Sequence, residues 1–196
     1  MSFIIVGLGN PGEEYENTRH NVGRIVLERL RKSESFSEWV FDKKINALKS
    51  SGTLGKEKVT LLLPQGFMNN SGKSLKDLAG GPKKAEKCLV VYDELNVPLG
   101  SMKISFGRSS GGHNGLESVI KNLKTKDFPR LRIGICPTTP SGKLKIPHGD
   151  KEVIDFILGK FKASEEDVLK KVGKVALEAI EVLVSEGRQV AMNRFN

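Results

Sequence analysis

The sequence predicts an α/β fold: a single three-layer α/β/α domain whose twisted, mixed and largely parallel sheet is flanked by helices. Short apolar runs bounded by Gly, Pro and Asn recur along the chain, with the length of buried strands. Amphipathic helical patterns stand between them, and that alternation belongs to a mostly parallel sheet covered on both faces. The length of 196 residues, with 38% hydrophobic and 28% charged, suits one ordinary globular core, so residues 1–196 are read as one domain.

The first strand is Phe3–Gly7, an apolar run closed by glycine. Helical periodicity begins near Asn21 and places Val22, Ile25, Val26 and Leu30 on one face. A second strand covers 59–63, followed by a helical pattern at Leu75, Leu78 and Ala79. The most apolar strand is 88–92, and Met102–Phe106 is the next. Leu116, Val119, Ile120 and Leu123 then mark a helix, and 131–135 marks a strand. Residues 137–149 are rich in Pro, Gly, Lys and Thr and read as an exposed loop. A closing helix is expected from Ser164, where Ser-Glu-Glu-Asp has the form of a capping box, through Val168, Val172, Val175 and Ile180 to an end near Gly187.

Composition narrows the function classes. The formal charge is +9, and residues 101–151 hold ten Lys/Arg against three acids. Clustered cations of that kind suit a polyanion, because they release counterions from phosphates, although a solvated lysine-rich surface has the same composition. Cys88 and Cys136 form neither a metal-ligand pair nor a disulfide framework. No targeting segment and no membrane-spanning stretch is read, so a cytoplasmic protein with no membrane partner is expected.

Four polar clusters follow four of these strands, where open α/β sheets collect their functional groups. Gly7-Leu8-Gly9-Asn10-Pro11-Gly12 fits the dinucleotide-binding glycine pattern in form. Pro11 and two glutamates intervene before any helix, however, and the acid about twenty positions on falls inside that helix. Tyr15 and Thr18-Arg19-His20-Asn21 come next; His20 is either a surface or capping histidine or a general base, the role its neutral-pH chemistry suits. Gln65 to Gly72 offers amides able to cap a helix beside Phe67 and Met68, which are expected exposed as a binding wall. In Tyr92-Asp93-Glu94-Leu95-Asn96, Asp93 is either a turn former or the carboxylate that orients a histidine. Gly107-Arg108-Ser109-Ser110-Gly111 fits the nucleophile-elbow pattern, with Asp127 and His148 as conceivable partners of Ser109. Two glycines, Gly111 and Gly112, and then His113-Asn114-Gly115 stand between Ser109 and its helix, and the glycines equally let backbone approach a phosphate near Arg108 and Lys103.

Together GLGNPG, TRHNVG, GFMNNSG, YDELNVPLG and GGHNGL resemble the signature segments of bacterial-type peptidyl-tRNA hydrolases, in order and over nearly the whole chain. The resemblance implies a monomeric, cytoplasmic enzyme of translation that hydrolyses the ester between a peptide and tRNA, without metal or other cofactor. Its partners would be the 3' end and acceptor stem of peptidyl-tRNA, and stalled large ribosomal subunits. By position, His20 would be the base, Asp93 its partner, and Asn10, Asn69 and Asn114 would position substrate and water. Tyr15, Phe67 and Met68 would line the cleft, and Lys103 and Arg132 would meet tRNA phosphates. Asn96 stands where the family often has Asp, Ser105 where a basic residue is common, and 136–149 is longer than usual. Lys143, Lys145 and His148 in that loop could add phosphate contacts. A serine esterase using Ser109, or an RNA-binding module without activity, are the competing readings.

Overall fold

The computed structural model describes residues 2–196 and gathers seven strands into one sheet. In chain order they are β1 (Phe3–Gly7), β2 (Val40–Asp42), β3 (Ala47–Leu54), β4 (Glu57–Pro64), β5 (Cys88–Pro98), β6 (Met102–Phe106) and β7 (Pro129–Cys136). The helices are α1 (Val22–Ser33), α2 (Lys76–Ala79), α3 (Pro82–Ala85), α4 (Asn114–Leu123), α5 (Gly149–Leu158), α6 (Ala163–Ser185) and α7 (Arg188–Phe195). Across the sheet the order is β2-β3-β4-β1-β5-β7-β6. The central neighbours β4, β1, β5 and β7 run parallel, whereas β2, β3 and β6 are antiparallel additions at the two edges.

Alternation along β1 separates two cores. Ile5 packs with Val26, Leu27 and Leu30 of α1 and with Leu169 and Ile180 of α6. Ile4 and Val6 point the other way, toward Ala79 of α2 and Leu116, Val119 and Leu123 of α4. The sheet is thus the middle of three layers, and its central strands are apolar throughout because both faces are covered.

Some elements escape the sequence pattern. The β2–β3 hairpin was not anticipated: Ala47–Leu54 is mostly small and polar, and its apolar partners arrive from distant residues such as Phe36. The Tyr92 cluster, expected beyond a strand, continues β5 as far as Pro98 with a register irregularity after Glu94. Helix α6 begins one residue before the proposed Ser cap; Glu165 accepts from Lys162 N at 2.8 Å, so the acidic half of the box forms without Ser164. Helix α7 continues the chain past Gly187, and the Asn196 amide pairs with both backbone groups of Ile104, at 2.7 and 2.9 Å, on the outer edge of β6. Among the described residues no helix is long and apolar enough to cross a membrane.

Candidate active site

The site forms where α1 is driven against the ends of β1 and β5. At Gly23 a side chain would collide with the Val91 carbonyl and would stand 2.7 Å from Leu8 N and O, so glycine is what permits this approach. One turn earlier, Arg19–Asn21 is a 3-10 turn whose three residues are all buried. Asn21 grips the preceding loop at two points: its Oδ1 accepts from Asn10 N at 2.8 Å and its Nδ2 donates to Asn10 O at 2.9 Å. His20 is therefore held from both sides, and at 7% exposure it is not the surface histidine that one reading of the sequence allowed.

His20 Nδ1 lies 3.0 and 3.1 Å from the two carboxylate oxygens of Asp93. His113 Nε2 lies 3.0 Å from Oδ1 of the same carboxylate. A carboxylate only accepts, so both ring nitrogens donate. The tautomer of His113 follows, because its Nδ1 accepts from Leu116 N at 3.2 Å. For His20 the remaining nitrogen, Nε2, is left with the lone pair that a base needs. Burial acts to raise the Asp93 carboxyl, yet the fields and hydrogen bonds of the two histidines outweigh it and hold the group well below the usual carboxylate range. Tyr92 packs edge-on against His113 at 5.0 Å between ring centroids, and burial pushes its phenol up to about 12.

Around this core the other candidates take distinct places. Asn10 is buried, and its Oδ1 accepts from Met68 N at 2.8 Å, which leaves the Nδ2 donor at the cleft. Phe67 is 60% exposed, as expected, but Met68 is buried beneath it, its sulfur packed against Gly115. Asn69 and Asn114 are both exposed, each near the start of a helical turn, and Asn114 lines the cavity that holds His20. Tyr15 is half-buried in a 3-10 turn on the near side. Two cavities open here, one of about 520 Å³ under α5 lined by His20, Asp93, His113 and Asn114, the other of about 500 Å³ along α1 from Asn10 and Asn21.

The family description "Peptidyl-tRNA hydrolase" matches residues 4–196. The chain belongs to the peptidyl-tRNA hydrolase family. A peptidyl-tRNA hydrolase of Alkaliphilus oremlandii is 42% identical over 194 residues, 98% of each chain. Another, of Synechococcus sp., is 40% identical over 98% of this chain and 82% of the relative. The crystal structure of peptidyl-tRNA hydrolase from Acinetobacter baumannii superposes with a TM-score of 0.86 at 33% identity, covering 100% of this chain and 94% of that one.

Within this hydrolase fold the cationic candidates Lys103 and Arg132 are register partners on β6 and β7. Lys103 is exposed, whereas Arg132 Nε donates to Glu94 at 3.0 Å and is half-buried. Ser109, Asp127 and His148 are all exposed and share no hydrogen bond; Ser109 offers its carbonyl to Arg130 at 2.8 Å. The elbow pattern is thus not a nucleophile elbow: positive φ at Gly107 and Gly111 explains its glycines as loop conformation. The 137–148 segment is mostly exposed, with a local bridge between Thr138 and Leu144, and it leads into α5, which roofs the cavity through Val153, Ile154 and Ile157.

Sequence reasoning missed His113 and Asn21, although both stand inside motifs it quoted. The His113 signal was available as one of only three histidines. His20, Asp93 and His113 are also the group among the described residues whose ligand atoms, all within 4.8 Å, could hold a metal ion. The two nitrogens facing Asp93 are its hydrogen-bond donors, so a cation there would have to displace both protons.

Proposed function

We propose that this chain hydrolyses the ester between the peptide and the tRNA of peptidyl-tRNA with His20 as general base. The observation that supports it is the shared Asp93 carboxylate, which fixes the His20 proton on Nδ1 and leaves Nε2 as the base. A water deprotonated at Nε2 attacks the ester carbonyl, and the proton passes on to the departing ribose oxygen as the tetrahedral intermediate collapses. Asn69 or Asn114 donates to the developing oxyanion from the rim. Neither a serine nucleophile nor a metal-bound water is needed, because an ester is already activated toward attack by a positioned water.

Asn10 selects the substrate. Its free Nδ2 donor reads the carbonyl of a peptide amide, which a blocked amine provides and a free aminoacyl group does not. Tyr15, Phe67 and the floor over Met68 support the acyl chain, while Lys103 and Arg132 face the phosphates of the 3' end and acceptor stem. The same reading makes the enzyme a cytoplasmic monomer that meets its substrate free or on stalled large ribosomal subunits.

The test is cleavage of N-acetyl-aminoacyl-tRNA and of unblocked aminoacyl-tRNA, with and without EDTA, by wild type, His20→Ala and Ser109→Ala. Metal-independent cleavage of the blocked substrate alone, lost in His20→Ala and kept in Ser109→Ala, is expected. Tight tRNA binding without cleavage by the wild type would instead mean an RNA-binding module, and loss confined to Ser109→Ala would mean a serine esterase.

A further inference from the structure

We propose that the groove running along α1 from Asn10 to the lysines of α6 carries the peptide arm of the substrate and favours acidic residues about five positions before the esterified one. This rests on the reading above, since it concerns the substrate of that same site. An ester substrate has two arms, and two cavities open at neighbouring residues, one at His20 and the other at Asn21 and its hydrogen-bond partner Asn10. The cavity beneath α5 includes Glu94, whose carboxylate holds Arg132, the register partner of Lys103, so this side faces the cations assigned to tRNA. The peptide then leaves on the other side. There the cavity that opens at Asn10 and Asn21 follows α1 through Arg24 to Arg29 and Lys32. Those last two residues also line a basin of about 710 Å³ against α6, so the two hollows adjoin at Arg29 and Lys32.

The far end is cationic. Arg29, Lys32, Lys170, Lys171 and Lys174 line the basin against a single acid, Asp167, which is paired with Lys170 at 3.0 Å. Of the acids along the approach, Glu28 is held by Arg31, Lys32 and Trp39, and Glu16 stands near Arg24. Arg29 is seated rather than loose: its Nη1 donates to Leu169 O at 2.9 Å, and the bare backbone of Gly173 gives the guanidinium room, since a Cβ there would strike Nη1. Among the described residues no carboxylate pairs with it, although it is half-buried and burial pulls its pKa down. An acidic side chain arriving from a bound peptide supplies the missing counter-charge. The apolar faces of Ile25 and Leu177 give the walls a surface for side chains of any kind. From Asn21 to Lys32 is about 16 Å at the helical rise, which an extended peptide covers in about five residues.

The experiment uses N-acetylated peptidyl-tRNAs of one tRNA and one terminal sequence, with Glu, Gln or Lys at the fourth to sixth residues before the ester. N-acetyl-aminoacyl-tRNA, too short to reach the basin, is assayed alongside. For the wild type KM is expected to be lower for the Glu substrate than for the Lys substrate by about threefold to tenfold, the scale of two or three exposed charge pairs, with kcat alike. The Lys170→Glu/Lys174→Glu variant is expected to reverse that order. Equal KM for all three peptides, with the short substrate still cleaved, would overturn this proposal alone. A charge reversal that raises KM as much for the short substrate would also overturn it and give the lysines to tRNA. Failure to cleave the short substrate at all would instead remove the reading on which it rests.

Discussion

His113 Nε2 stands 3.0 Å from Asp93 Oδ1, the same oxygen that accepts from His20 Nδ1. The carboxylate that orients the proposed base is thus itself oriented by a second histidine, whose ring centroid lies 5.0 Å from that of His20. A second donor of this kind limits how far Asp93 can turn away from His20, and its own tautomer is fixed by the first turn of α4 through Leu116 N.

Removing that donor is expected to slow the reaction more than it weakens binding. His113→Ala should lower kcat about tenfold on N-acetyl-aminoacyl-tRNA, the scale of one hydrogen bond to a charged group, with KM little changed. His113→Gln, which keeps an N–H donor, should recover part of the loss. An unchanged kcat in His113→Ala would mean that Asp93 holds His20 without help.

The contrast between His20 and His113 explains what was legible in the sequence. The pairing of His20 with Asp93, 73 residues away, came from the family resemblance, because no local pattern carries it. His113 meets Asp93 only because α4 and β5 pack in space, across a separation of 20 residues. The central strands were legible because burial on both faces makes them uniformly apolar, as in 88–91. The β2–β3 hairpin was not, since half-exposed edge strands such as Ala47–Leu54 lack that signal. Arg132 reads as a free cation in sequence, and only the fold reveals Glu94 beside it.

Asp93 also makes stability depend on acid in a definite direction. A carboxyl whose value is lowered on folding contributes stability that is fully present above its unfolded value, about 4, and is lost as pH falls through the folded value. The wild type should therefore lose stability below about pH 4, and Asp93→Asn should lack that part of the decline. Urea midpoints measured in steps from about pH 6 to about pH 2 would show the difference between the two proteins changing only in the acid range. A difference independent of pH would mean that the carboxyl titrates as it does in the unfolded chain.

A second buried pair joins the His20 turn to the roof of the cleft. Arg19 Nη2 meets Glu165 at 2.7 Å, its Nη1 donates to Lys160 O at 2.8 Å, and its guanidinium lies over Phe156 of α5 at 4.5 Å. Removing one partner strands a charge in a dry place, so Glu165→Leu should cost about 3–5 kcal/mol in urea unfolding. The double variant Arg19→Met/Glu165→Leu should regain most of that, because two apolar side chains leave no charge unpaired. If the double variant proved no more stable than the single one, the loss would come from the Lys162 N cap of α6 or the packing around Phe156 rather than from the ion pair.

Lys103 and Arg132 are adjacent in register yet should behave differently toward tRNA. Lys103 is exposed, so Lys103→Ala should raise KM and reduce the slope of log KM against log salt by about one, the loss of one phosphate contact. Arg132 is already satisfied by Glu94, and a phosphate must compete with that carboxylate for the guanidinium. Arg132→Ala should therefore change KM and the salt slope less than Lys103→Ala does. Glu94→Gln releases the arginine and removes a negative charge from the cavity wall, so it should lower KM for tRNA substrates and steepen the salt dependence. Equal effects of the two cation deletions would show that Arg132 leaves Glu94 when tRNA binds.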